Sequence, residues 1–461
     1  MRPGGQRAGG DGSPARSRVG PRHAGRPGQR SARVRTGPTP APVPPTPTTS
    51  TTPTTEPGPA PQLPERPSEP SIAVGLAWDL DAVTLDPVGA ARITGRGTAL
   101  LDAGATLAVS LEHDHAIATS VGNRVPWRAT LAPGDTLWLE GSDGPAESPA
   151  RLVRWQGKSW RGRFKIFLNP RGKLTLATVV PLETYLAGVI PGEIGALDES
   201  LIEAGRAQAI AARSYTLFYR GRRAAEGFDL YGTVEDQLYG PVENERPLAT
   251  QCVASTAGRV ALYDGTPIRA NYCSTCGGIT ADVWEAWPAP PLPYLVSHLD
   301  RGAAGDYCES SPHHRWLEEW TVEEFAADLT HFAPAYGVRL PRGGLGELID
   351  VRVASRSRSG RVWSLEVVTS RGRVTIPAYS IRQVLRRPGR PEAILRSTLF
   401  KIEVRRDPRS RRSLMVVASG AGSGHGVGLC QTGALGMARA GRTGEQILLH
   451  YYPSIEIGTL R

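Results

Sequence analysis

The chain lacks any apolar run approaching the roughly 18–20 residues that cross a bilayer, and its N-terminus has no apolar stretch of the signal-peptide kind. No transmembrane segment is expected, and the sequence does not show its own export route. Cysteine is scarce. Cys252, Cys273, Cys276, Cys308 and Cys430 are five in 461 residues, too few for a disulfide scaffold and odd in number, which excludes complete intramolecular pairing. The body also lacks net charge: residues 1–36 hold nine arginines against one acid, Asp11, and account for +8 of the formal +10, leaving +2 for the rest. The basic character therefore belongs to an arm and not to a folded surface, and no nucleic-acid partner is expected. No repeat of fixed period is present.

What is present divides unevenly. Residues 37–70 are Pro, Thr, Ser and Ala with almost no large apolar side chain, as in PTPAPVPPTPTTSTTPTTEPGPAP, and such a segment cannot bury enough surface to offset its ordering entropy. Residues 1–70 thus read as a disordered basic and Pro/Thr-rich tail, and order is expected over 71–461. Residues 72–180 carry short alternating segments (AVTLD, TLAVSLE, DTLWLEG, RFKIFLN) separated by Gly, Asp and Pro turns, the pattern of a β-rich part. A long helix is expected over about 199–223, capped by Asp198 or Ser200, with Leu201, Ala204, Gln208, Ala211, Tyr215 and Phe218 forming one stripe. The fold class expected is α+β: a mostly β body with a long helix beside a candidate catalytic turn, and an inserted smaller subdomain. The chemistry-bearing core is placed at 181–317, the inserted subdomain at 318–395, and a Gly-rich loop with short helices at 396–461.

Within the core, PLETYLAGVIPGEIG (181–195) reads as a helical turn and a half through Leu182, Tyr185, Leu186 and Val189 that Pro191 stops. Glu193 is then held on a tight Pro-Gly connection. A carboxyl fixed there and partly buried has its pKa raised toward the range useful to a general acid; the plain alternative is a residue that caps or solvates the turn. Downstream, Cys273-x2-Cys276 and Cys308-x4-His313, with His314 adjacent, offer three sulfurs and an imidazole, a set suited to a closed tetrahedral zinc site. A Cys273–Cys276 disulfide, a redox pair and buried free thiols remain as alternatives. Cys252 and Cys430 read as small buried side chains.

Taken together, PLETYLAGVIPGEIG, AQAIAARSY, QLYGP, TAGRVALYDGTPIRANYCSTCGG and GHGVGLCQTGALGMARAG with HYYP resemble, in order, the blocks of the stage II sporulation protein D (SpoIID/LytB) family. The resemblance implies a lytic transglycosylase that cleaves denuded peptidoglycan strands between N-acetylmuramic acid and N-acetylglucosamine, leaving 1,6-anhydro ends. Glu193 falls at the family's single catalytic acid/base. Arg213, Tyr215, His425 and Gln431 lie in matching blocks and become candidates for holding the sugar, although Arg213 and Tyr215 could serve only in packing. Metal binding, an extracytoplasmic location and a possible N-acetylmuramoyl-L-alanine amidase partner also follow from the resemblance, as does the rival reading of a non-catalytic amidase enhancer.

Overall fold

The computed structural model describes residues 69–144 and 148–460. The expectation of a disordered tail over 1–70 falls, but for its last two positions, outside the described residues. The fold is α+β and mostly β, as the sequence predicts. Two layers dominate the N-terminal part, antiparallel but for the parallel pairing of Leu230–Tyr231 with Ser71–Leu80. One is a seven-stranded sheet in the order Leu230–Tyr231, Ser71–Leu80, Leu174–Pro181, Arg163–Leu168, Thr136–Gly141, Ala91–Thr94 and Ala99–Leu101. The other has six strands, with Ala82–Pro87 and Thr106–Glu112 near its middle. Alternation explains the second layer: Val83 and Leu85, then Leu107 and Val109, point inward while their neighbours face solvent. Leu174–Pro181 is instead buried along nearly its whole length.

That strand runs directly into helix α1 (Leu182–Ile194), whose N-cap is Pro181. Here the structure corrects the sequence reading. The helix does not stop at Pro191 but continues through it to Ile194 and ends at Gly195, whose φ of 80° suits glycine. A proline so near the end costs a single backbone hydrogen bond, and burial of Ile190 and Ile194 in the main core holds the last turn in place. Glu193 accordingly sits on the final helical turn. Helix α2 (Ile202–Tyr219) follows a 3-10 turn that Asp198 caps by accepting from Ser200 N. Its expected one-sided stripe widens to nearly all-round burial from Ala204 to Thr216, while Phe218 is exposed. Small side chains make this possible: a Cβ on Gly205 would lie 2.6 Å from Cys252 Sγ on helix α3 (Pro247–Ser255).

A short helix α4 (Val283–Ala286) precedes a second hydrophobic core whose residues run from Trp316 to Ala418. It is built from helix α5 (Val322–Phe332), the meander Leu348–Arg356, Val362–Thr369 and Gly372–Pro377, helix α6 (Ala378–Val384), and a three-stranded sheet in which Ser413–Gly420 lies between Trp316–Thr321 and Phe400–Arg406. Helices α7 (Gln431–Arg439) and α8 (Gly444–Tyr451) return the chain to the first core. No described helix is long and apolar enough to cross a membrane.

One ion pair ties α1 to α2. Arg213, fully buried, is bidentate to Glu183, with Nε donating to Oε1 at 2.8 Å and a terminal nitrogen donating to Oε2 at 2.5 Å. It also donates to the Arg259 carbonyl at 2.9 Å. Removing the carboxylate would strand a guanidinium that has no water around it. Glu183→Ala is therefore expected to cost about 3–5 kcal/mol, read as the shift in a urea unfolding curve. A loss below about 1 kcal/mol, the value of an exposed pair, would show that the guanidinium is hydrated after all.

Candidate active site and thiol cluster

Glu193 is half-buried and accepts two hydrogen bonds from distant parts of the chain. Leu238 N donates to Oε1 at 2.8 Å and Gln431 Nε2 donates to Oε2 at 3.2 Å. Burial raises the carboxyl's pKa above the ordinary value, and the donors Leu238 N, Gln431 and the Tyr272 hydroxyl offset only part of that. None of these partners is an acid. Tyr272 is itself oriented from below. Gln237, fully buried, accepts from Tyr185 Oη at 3.2 Å and Thr216 Oγ1 at 2.7 Å, and donates through Nε2 to Tyr272 Oη at 3.0 Å. With its oxygen accepting from Gln237, the tyrosine's own proton is free for Glu193.

The structure thus brings Gln431 onto Glu193 and adds Leu238, Tyr272 and Gln237, which sequence reasoning did not single out. Their blocks, QLYGP and ANYCSTCGG, were legible; which side chain in each met the carboxyl was not. Tyr215 lies beneath, with its ring centroid 6.1 Å from that of Tyr272. Arg213 corrects an expectation: its nitrogens are engaged by Glu183, Arg259 and Val253 inside the protein, so it reaches no sugar. His425 packs its ring 4.7 Å from Trp287, and its Nδ1 accepts from Val427 N at 3.0 Å. Burial, then Arg382 and Arg361, push its pKa down to about 3. The ring is neutral near pH 7 and, with Nδ1 accepting, carries its proton on Nε2.

The candidate metal ligands are only partly those expected. Cys276, Asp300, Cys308 and Cys430 are all buried, and their ligand atoms lie within 4.8 Å of one another, a group that could hold a metal ion. Cys276 Sγ is 3.0 Å from Asp300 Oδ2 and 3.8 Å from Cys308 Sγ. Asp300 Oδ1 accepts from Tyr451 Oη at 2.8 Å, and Cys430 Sγ accepts from the backbone N–H groups of Cys276 and Gly433 at 3.2 and 3.3 Å. Cys273, His313 and His314 fall outside the group. Cys273 is buried under Gly424, with its thiol pushed up to about 12 by burial. His313 is held by Arg396, and His314 Nε2 meets Asp306 Oδ2 at 2.9 Å. All five cysteines are free thiols, so no Cys273–Cys276 disulfide forms. Asp300 was missed because nothing in its spacing marks it, and Cys430 because it was read as core alone. Cys252 is core, as expected.

Comparison with known proteins matches residues 170–263 to the model described as Stage II sporulation protein, and residues 299–428 to a domain of unknown function (DUF8618). The chain is 27% identical over 298 residues to an uncharacterized protein of Brachyspira hyodysenteriae, spanning 63% of this chain and 70% of that one. It is 28% identical over 298 residues to stage II sporulation protein D of Bacillus subtilis, spanning 60% and 74%. Similarity to the amidase enhancer of Bacillus subtilis is 27% over 306 residues, spanning 58% of this chain but 39% of that protein.

Glu193's raised pKa carries a sign for stability. A carboxyl whose folded pKa lies above its unfolded value favours the folded state fully below the unfolded pKa, and that contribution is lost as pH rises through the folded pKa. Glu193→Gln removes the titration, so the melting temperature of the variant relative to the parent should climb between about pH 4 and pH 7. Parallel melting curves across that range would mean that the carboxylate is as well solvated folded as unfolded.

Proposed function

From a chain that carries a stage II sporulation protein domain, we propose a lytic transglycosylase acting on denuded peptidoglycan strands, with Glu193 as its single acid and base. The observation that carries the reading is a carboxyl of raised pKa held by three neutral donors with no acid among its partners. A glycosidase that delivers water needs a second carboxylate. When the muramic acid's own 6-hydroxyl attacks the anomeric carbon, one carboxyl is sufficient. Glu193 first gives its proton to the departing glycosidic oxygen, then takes the proton of the 6-hydroxyl as the 1,6-anhydro bond closes. Leu238 N and Gln431 steady the carboxylate formed between the two steps. Such a substrate places the protein outside the cytoplasm, where an amidase that strips stem peptides supplies the strands.

The same reading gives the thiol cluster a zinc ion held by Cys276, Asp300, Cys308 and Cys430. Zinc–sulfur bonds of about 2.3 Å in a tetrahedron set sulfurs about 3.8 Å apart, which is the Cys276–Cys308 spacing of 3.8 Å. The cluster also supplies the donor set a closed zinc site needs, three sulfurs and one carboxylate oxygen, all buried. Four protein ligands leave no position for water, so the role is structural.

Two outcomes are expected. Mass spectrometry of amidase-stripped strands should show anhydro-muramic ends with the parent protein, and Glu193→Gln should lower their release by about 10²–10⁴-fold with little change in glycan affinity. Equal release by both would sink the mechanism; intact strands together with a stimulated amidase would turn the reading to the amidase enhancer. Second, the purified protein should contain stoichiometric zinc, and Cys308→Ser should lower both zinc content and melting temperature. A variant that melts like the parent would remove the metal site.

A further inference from the structure

Around His425 lies a concentration of positive charge, from Arg382, Arg361 and Arg269. Arg269 sits between Ile268 and Ala270 of the first core, and its guanidinium lies 4.7 Å from the centroid of Trp287 and 5.8 Å from that of Tyr219. Its Nε donates to Asn271 Oδ1 at 2.8 Å, which fixes the fork. Arg382, next to Ile381 of the second core, donates through Nε to the Leu395 carbonyl at 2.8 Å. Among the described residues, neither arginine pairs with a carboxylate, and none of their terminal nitrogens has a hydrogen-bond partner.

The backbone brings the two together around His425. The Arg396 carbonyl, one residue past Arg382's partner Leu395, accepts from Gly424 N at 2.8 Å, immediately before His425. Helix α6, which carries Arg382, is fastened to α4 by Tyr379 Oη donating to the Trp284 carbonyl at 2.8 Å, and Trp287 follows α4 directly. Trp287 then offers its ring to both Arg269 and His425. His425 in turn lies over the strand that presents Tyr272 to Glu193, since the Tyr272 backbone is one of its hydrogen-bond partners. Burial pushes Arg382 down to about 10, the behaviour of a cation set in low dielectric without its anion.

We propose that Arg269 and Arg382, with the face of Trp287 and with His425 as the neutral ring packed between them, form a subsite for a carboxylate borne on a sugar. Resting on the transglycosylase reading above, the carboxylate is the lactyl group of muramic acid. While a stem peptide is attached, that carbon is a neutral amide and offers a guanidinium nothing to fork onto. Once the peptide is removed it is an anion, and a planar fork matches it in a way an ammonium does not. The second core then has a part in recognition: it supplies one of the two arginines that distinguish a stripped strand from a substituted one.

The test uses the full chain with Glu193→Gln, which binds without turning over. Amidase-stripped strands are divided, and half are treated with carbodiimide and ammonia so that every lactyl carboxylate becomes a primary amide. The protein should bind the carboxylate strands roughly 10–100-fold more tightly than the amidated ones, the range for a charge-assisted hydrogen-bonded pair. Adding Arg382→Gln or Arg269→Gln should lower affinity for the carboxylate strands to the amidated level and leave the amidated level where it was; Arg→Lys at either position should recover part of the difference. Equal affinity for both strands before any arginine is changed would overturn the subsite, and that comparison does not depend on an arginine variant folding. A glutamine variant that weakens both strands alike would also overturn it. Discrimination by the Glu193→Gln chain, with no anhydro ends released by the parent that retains Glu193, would remove the transglycosylase reading while supporting the subsite; failure to bind either strand would end both.

Discussion

A parallel pairing only two residues long, Tyr272–Cys273 against Leu429–Cys430, is what the rest of the site depends on. Tyr272 leads to Glu193 and Cys276 follows four residues later in the thiol cluster. On the other side Cys430 belongs to the cluster, N-caps α7 through its sulfur, and is followed at once by Gln431, which holds Glu193. A shift of one position in this register would turn Tyr272 and Gln431 away from the carboxyl together. A bridge of two residues is short for such a register, and backbone bonds extend it on either side. Leu429 N donates to the Asn271 carbonyl at 3.1 Å and Thr432 N to the Ser274 carbonyl at 3.0 Å, while the four buried groups pack beside it.

Positioning of Glu193 from below has a different origin. Helix α2 is buried almost all round, which an amphipathic surface helix is not, and its alanines let α1, α3 and the sheet approach closely. Arg213 and Thr216 are polar exceptions with defined partners: the first locks α1 through Glu183, the second orients Gln237 and through it Tyr272. Both are best understood as framework, each acting on the site through another residue.

The sequence made some of this legible. Alternating β segments, the α2 region and the helices at 431 and 444 could be read from period and caps, while Gln431 entered only through the family resemblance, as a candidate for holding the sugar and not as a partner of Glu193. Pro191 misled because a local rule about helix continuation was applied where tertiary burial of Ile190 and Ile194 prevails. Arg213 misled because a buried cation in a recognised block looks the same in one dimension whether it faces a substrate or a glutamate. Ligand spacing favoured Cys273, His313 and His314, yet proximity in the fold chose Asp300 and Cys430. Cys430 lies 154 residues from Cys276, a distance at which spacing carries no information.

That separation has a consequence for how the molecule comes into being. Three members of the thiol cluster precede the second core and the fourth follows it, so the cluster encloses the whole of that core as a loop. Closing so long a loop is entropically slow. During vectorial synthesis the emerging chain possesses Glu193 long before it possesses Gln431 or the last thiol, and a partly made molecule has neither the donor that holds the carboxyl nor the register that aims Tyr272. The carboxyl is assembled last, although it is encoded early, and the second core must be completed before the C-terminal residues can return to it.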